Sequence, residues 1–371
     1  MNKKIMNLGM FSILSIMPFF LTSCNKNNDV ILKDNLGNEY KVNATTDTDE
    51  VYKVLESLSK IDIETSNSIE FDLAFEGKFT YTQDDFIKIS LDGSIDMDFG
   101  MESKEFEYKK YNIPSLEDET NQNDVTEAKE AIIDNFDFLL NLKSDLNLGA
   151  EDLTSDQSIR EEAELLNGKP FRFDLDAQTL NDSDLVYLHT GEKNIIPTAL
   201  ITLVLPDEYD NIAKYFNFTK NLKIASTKDN VLSMIGDNNI LLFNNFIYDI
   251  MNTDINDYIT PSLYLDKELI NKYNISIKNA SNDEITFLVD INEFTGNKTT
   301  TNGLLELTIQ ASKMRPNKIK VLGFNSNSFI TDTFNIPLTF ENSNFELNIS
   351  YETLNLNELD TNGYRLLANK E

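Results

Sequence analysis

Residues 69–101 read IEFDLAFEGKFTYTQDDFIKISLDGSIDMDFGM, and their alternation decides the fold. Ile69, Phe71, Leu73, Phe75, Phe79 and Tyr81 fall on odd positions, with Glu70, Asp72, Glu76, Lys78 and Thr80 between them. After a polar break the pattern restarts with Ile87, Ile89, Leu91, Ile95, Met97, Phe99 and Met101 against Lys88, Ser90, Asp92, Ser94, Asp96 and Asp98. Period two over such runs predicts two amphipathic strands of roughly 13–15 residues, each about 45 Å long and well beyond the usual strand. Strands of that length must twist and bend, and the central Gly77 and Gly93 permit it.

Charge selects the hairpin register. Pairing Tyr81 with Ile87 sets Glu76 against Asp92, Asp72 against Asp96 and Glu70 against Asp98, three like-charge pairs on one face. Pairing Tyr81 with Ile89 instead sets Lys78 against Asp92, Glu76 against Ser94 and Gly77 against Gly93, and this second register is expected.

On the N-terminal side, Asp47 and Glu50 have capping-box spacing, and Val51, Val54, Leu55, Leu58 and Ile61 form one apolar stripe, so a helix is expected over 47–61. Residues 24–46 are polar and read as a tether, with Val30–Leu32 and Tyr40–Val42 as a short hairpin at its distal end. On the C-terminal side, a third strand is expected around Glu105–Tyr111. A long helix from Asp124 follows, with the stripe Val125, Ala128, Ile132, Phe136, Leu139, Leu140, Leu146 and a stop at Gly149. A weaker helix at Ser155–Leu166 and a strand pair at Phe171–Leu175 and Asp184–Thr190 come next, and then a segment at Ala199–Leu205. Helix is expected to dominate 207–273, including a short set at Tyr209, Ile212, Ala213 and Phe216. Val231–Met251 is so apolar that it needs burial on several sides. Strands return at 274–353, with Met314–Asn317 as a hairpin turn.

The organisation is thus a leader over 1–23, a tether over 24–46, and a single large domain over 47–358. That domain holds a strand block at 68–113, a helical insert at 124–168, a helical stretch at 207–273 and a C-terminal strand block at 274–353; a polar tail covers 359–371. Strands in runs predict an antiparallel α+β fold, with a long bent sheet and helices packed on its apolar face.

At the N-terminus, Lys3 and Lys4 precede an apolar run over Ile5–Phe20 that is interrupted by Asn7, Ser12, Ser15 and Pro18 and is shorter than the ~20 residues of a spanning helix. The run closes on Leu21-Thr22-Ser23-Cys24, which contains the one cysteine of the chain. This resembles the processing box of bacterial lipoproteins. The resemblance implies a diacylglycerol on the Cys24 sulfur, cleavage before Cys24, and a protein lipid-anchored to the cell membrane on its extracytoplasmic face. Two or more acyl chains give stable anchoring.

Removing residues 1–23 takes away two lysines and no acid, and leaves 348 residues of formal charge −32. Such a field opposes nucleic acid and anionic headgroups alike, so the membrane contact falls to the lipid. No cysteine remains for a disulfide, and packing alone must stabilise the body.

The lipobox, the helix at 47–61 and the long amphipathic strands together resemble the LolA/LppX-type lipoproteins and lipoprotein carriers, over the helix and the strand blocks at 68–113 and 274–353. The resemblance implies that the long bent antiparallel sheet is an incomplete β-barrel that wraps the helices and encloses an apolar cavity for acyl chains. The candidate lining is the apolar face of the two long strands: Ile69, Phe71, Leu73, Phe75, Phe79, Ile89, Leu91, Ile95, Met97 and Phe99. An ordinary dry core between sheet and helices explains the same face, and the protein would then be a surface interaction or structural lipoprotein, such as an adhesin or coat component.

Catalytic and cofactor motifs are missing from the sequence. His189 is the sole histidine, which excludes H-E-x-x-H and any two-histidine metal site, and neither G-x-S-x-G nor a P-loop occurs. Asp92, Asp96 and Asp98 have strand spacing, and Asp360-Thr361-Asn362-Gly363 lacks the closing glutamate of a calcium loop, so both read as solvated acidic surface. A non-enzymatic protein with no cofactor or metal is expected.

Overall fold

A computed structural model of the chain describes residues 30–33, 39–58, 66–83, 87–103, 109–113, 121–154, 156–180, 183–197, 221–251, 267–291, 301–313, 315–326, 329–330, 335–336, 338–354, 356 and 359–367. In chain order the elements are β1 (Val30–Lys33), β2 (Glu39–Val42), α1 (Thr48–Leu58), β3 (Ser68–Gln83), β4 (Ile87–Ser103), α2 (Gln122–Asn135), β5 (Phe136–Asp152), α3 (Gln157–Leu166), β6 (Lys169–Thr179), β7 (Leu185–Thr190) and β8 (Lys223–Thr227). They continue with α4 (Lys228–Ile235), α5 (Asp237–Met251), α6 (Lys267–Lys272), β9 (Ser276–Ser281), β10 (Glu284–Asp290), β11 (Thr301–Gln310), β12 (Arg315–Ser326), β13 (Phe329–Ile330), β14 (Asn335–Ile336), β15 (Leu338–Ser350) and β16 (Arg365–Leu366).

The fold is α+β. Twelve strands form one sheet in the order β16-β8-β7-β6-β5-β4-β3-β15-β12-β11-β10-β9, antiparallel throughout except for the β16–β8 pair, and the sheet does not close into a barrel. At its centre β3 and β4 run for 16 and 17 residues in the register that charge selects: Tyr81 opposite Ile89, Lys78 opposite Asp92, Glu76 opposite Ser94 and Gly77 opposite Gly93. One like-charge pair survives in it, Asp72 opposite Asp98.

Helices cover one face of the sheet in three places. In the first cluster, Val51, Val54 and Leu58 of α1, Ile270 of α6 and the β1–β2 hairpin pack over Phe75, Ile285, Leu305 and Phe340. The second sets Val125, Ala128 and Ile132 of α2 and Ile240, Leu241 and Ile247 of α5 over Ile69, Phe71, Met101 and Leu347. In the third, Ala163 and Leu166 of α3 lie on Ile87, Ile89 and Leu148. Asp47 caps α1 as its spacing implies, accepting from the N–H groups of Asp49 and Glu50 at 2.9 and 3.0 Å.

Several expectations are corrected. The long helix from Asp124 ends at Asn135, is capped by Asn121 three residues earlier, and gives way directly to strand β5. The stripe read as helical also alternates, with Phe136, Phe138, Leu140, Leu142, Leu146 and Leu148 on even positions. The switch is enforced from a distance: buried Lys228 donates to the carbonyls of Ile133 (3.2 Å) and Phe136 (2.6 Å) and lies 3.3 Å from the Asp137 carboxylate, so the last turn of α2 needs no glycine to end.

The third strand expected at 105–111 is not formed over 109–111. There the backbone is held by side chains of α5: Asn245 exchanges two hydrogen bonds with the Tyr111 N–H (2.8 Å) and carbonyl (2.7 Å), and Asn244 donates to the Lys109 carbonyl at 2.8 Å. The asparagines of an otherwise apolar helix thus serve as backbone clamps. Within the stretch expected to be helical, Lys223–Thr227 is strand β8, paired with β7. The hairpin at Met314–Asn317 turns earlier, since Arg315 and Pro316 already pair in β12.

The expected hairpin of Val30–Leu32 and Tyr40–Val42 forms as β1–β2, with Val30, Leu32 and Val42 in the core, and β16, within the polar tail, adds to the edge of β8. The expected segment at Ala199–Leu205 and the set Tyr209, Ile212, Ala213 and Phe216 lie outside the described residues.

Candidate functional site

Register lines up one apolar row across eight strands. It runs Leu175, Leu142, Met97, Leu73, Leu347, Ile319, Leu307 and Phe287, each directly opposite the next. The neighbouring row runs Ile95, Phe75, Phe345, Val321 and Leu305. Because side chains alternate across a strand, both rows stand on the helix-bearing face.

The ten expected lining residues share that face but not one environment. Ile69 and Phe71 are buried in the second cluster, with Leu73 and Phe99 half-buried beside it. Phe75 is buried in the first, with Phe79 and Ile95 half-buried against it. Ile89 is buried under α3 in the third, next to Leu91. Met97 is half-buried and belongs to none of these three clusters, and the same holds for Leu142 and Leu175, which continue its row. The three clusters therefore frame a central apolar band that these helices leave partly uncovered.

Leu142 and Leu175 are the band residues that sequence reading misses or leaves unassigned. Leu142 falls within the expected helix, although the even-position alternation marks it. Leu175 ends a predicted strand whose neighbour only the full sheet order reveals.

The opposite face carries the charge. Asp92 lies across from Lys78, Asp96 from Lys143, and Glu346 accepts hydrogen bonds from both Lys318 and Lys320, which hold its carboxyl below the usual range. Asp98 is pushed up, first by partial burial and next by the Asp72 charge opposite. His189 stands on this face, Nδ1 3.5 Å from Asp176 and Nε2 3.3 Å from Asn221. At 360–363 the Asp360 carboxylate accepts from the N–H and side-chain amide of its own neighbour Asn362, a local turn. Among the described residues no group of three His, Cys, Asp or Glu side chains converges as metal ligands, and no helix is long and apolar enough to cross a membrane. Leu21, Thr22, Ser23 and Cys24 lie outside the described residues.

No protein-family model, curated protein or solved structure matches the chain.

Proposed function

We propose that this protein is a lipoprotein anchored through acyl chains on Cys24 to the extracytoplasmic face of the cell membrane, and that its sheet holds an acyl chain or other apolar ligand against the band Leu175, Leu142, Met97 and Leu73. The observation that carries the reading is the half-burial of Leu175, Leu142 and Met97 outside the three packed clusters, in register with Leu73 at the edge of the second. A protein with no use for such a band gains about 25 cal/mol for each Å² of apolar surface it covers, so leaving it partly open favours an occupant. The role is binding, without catalysis.

A second reading, a surface interaction or structural lipoprotein, draws on a different observation: Ile69, Phe71, Phe75 and Ile89 are all at most 6 % exposed and packed as ordinary core. Titration of the full chain in mild detergent with cis-parinaric acid separates the two. The binding reading expects saturable fluorescence that Met97→Glu and Leu142→Glu each weaken at least tenfold. Absence of saturable binding, or binding unaffected by either substitution, supports the second reading.

A further inference from the structure

The chain contains three Asn-Gly pairs, at 167–168, 302–303 and 362–363, and all three asparagines are exposed. This dipeptide favours intramolecular deamidation, because glycine, with no Cβ, lets its backbone nitrogen approach the preceding side-chain carbonyl carbon. Exposure does not separate the three pairs, but their hydrogen bonds do.

At Asn167 both reacting groups are committed. Its Oδ1 accepts from the Ala150 N–H at 2.7 Å, and the Gly168 N–H, which would have to attack, donates to the Leu148 carbonyl at 2.8 Å. Asn302 is held inside strand β11 opposite Asn325, whose Nδ2 donates to the Asn302 Oδ1 at 2.9 Å. Its neighbour Gly303 is packed against Ile291, where a Cβ would stand 2.8 Å from that side chain. Cyclisation there has to break strand pairing first.

Asn362 differs. Thr361–Tyr364 form a turn closed by the Tyr364 N–H on the Thr361 carbonyl at 3.4 Å, with Gly363 in third place at φ +86°, as in a type II turn. The Asn362 N–H and Nδ2 both donate to Asp360 Oδ1, at 3.0 and 2.6 Å, which fixes the carboxamide within the turn. Among the described residues the Gly363 N–H donates to no backbone carbonyl, and nothing lies within 4 Å of where a Cβ on Gly363 would stand. The attacking nitrogen and the space around it are open.

The geometry points to Asn362 as a deamidation site whose product loosens the C-terminal strand. The Gly363 nitrogen bonds to Asn362 Cγ and gives up its proton, Nδ2 leaves as ammonia with that proton, and water opens the resulting succinimide to aspartate or isoaspartate. Isoaspartate adds a methylene to the main chain and a negative charge beside Asp360. Two residues on, Tyr364 packs edge-on against Tyr187, 5.3 Å between ring centres, with Lys223 Nζ 5.5 Å from the centre of its ring. Strand β16 then holds the edge of β8 by two paired residues and by the Leu367 N–H on the Ala225 carbonyl at 2.8 Å. A hold this short depends on the turn that delivers it, so lengthening the turn releases the edge. This site is independent of the apolar band.

The test is peptide mapping by mass spectrometry of the full chain in mild detergent, aged at 37 °C and pH 8, with hydrogen exchange read at the Leu367 amide. Asn362 is expected to convert at least tenfold faster than Asn167 and Asn302, and in urea the three should convert at similar rates. The Leu367 amide should exchange at least tenfold faster in aged than in fresh protein, and ageing the Asn362→Gln variant should leave it unchanged. An unconverted Asn362, conversion at Asn167 or Asn302 as fast as at Asn362, or an unchanged Leu367 amide after Asn362 has converted overturns the proposal.

Discussion

Gly77 lies directly opposite Gly93 across β3 and β4, at φ of +154° and +148°. Backbone of this kind is open to glycine and strained for other residues. A Cβ on Gly93 would stand 2.2 Å from the Asp145 carbonyl oxygen on the next strand, and one on Gly77 would stand 2.4–2.7 Å from Ser343. The pair therefore takes up a glycine backbone in mid-strand while the pairing of β3 and β4 continues without a shift. Gly93→Ala is expected to cost about 2–4 kcal/mol, strain and steric overlap together, in urea unfolding. Gly168→Ala, at φ +69° with nothing within 4 Å of a new Cβ, should cost only about 1 kcal/mol.

Lys228 ends helix α2 and neutralises Asp137, both side chains being less than one tenth exposed. Lys228→Met removes the ammonium from a buried carboxylate and from two carbonyls, an expected loss of about 3–5 kcal/mol. The double variant Lys228→Met/Asp137→Leu should be more stable than the single one, because the uncompensated charge goes with it. Urea midpoints of the three proteins check the ordering.

The register of the central hairpin was legible because independent signals agree there. Around Ile69–Met101 the period-two pattern, the glycines and the like-charge rule all favour one register, and that register forms. At Phe136–Leu148 the apolar residues satisfy a helical stripe and an alternation together, and the group that chooses between them, Lys228, lies 92 residues from Phe136. The backbone at Lys109–Tyr111 is likewise decided by Asn244 and Asn245. Half of the apolar band, Met97 and Leu73, was legible on the strands themselves. Leu142 and Leu175 join the band only through the order of β4, β5 and β6, which pairs Met97 with Leu142 and Leu142 with Leu175.

Asp98 provides a pH prediction. Its folded-state pKa is raised, so between the unfolded and folded values the native state binds more protons, and stability falls as pH rises through that interval. Ionised Asp98 facing Asp72 is therefore a liability at neutral pH. Asp98→Asn should stabilise the protein by up to about 1 kcal/mol at pH 7 and by nothing near pH 3, where Asp98 carries its proton. Thermal unfolding across that range shows the sign.

Attachment is expected to rest on Cys24. On the proposed cleavage before Cys24 the chain carries −32, anionic headgroups repel it, and Cys24→Ser should move the protein from the membrane to the soluble fraction with its fold unchanged. Membrane retention equal to wild type would contradict lipid anchoring.

The binding reading is tested most directly by native mass spectrometry of the full chain after gentle extraction. The account predicts a co-purifying acyl-chain lipid in addition to the covalent lipid on Cys24, lost on Met97→Glu. Wild-type protein that is repeatedly empty would contradict it.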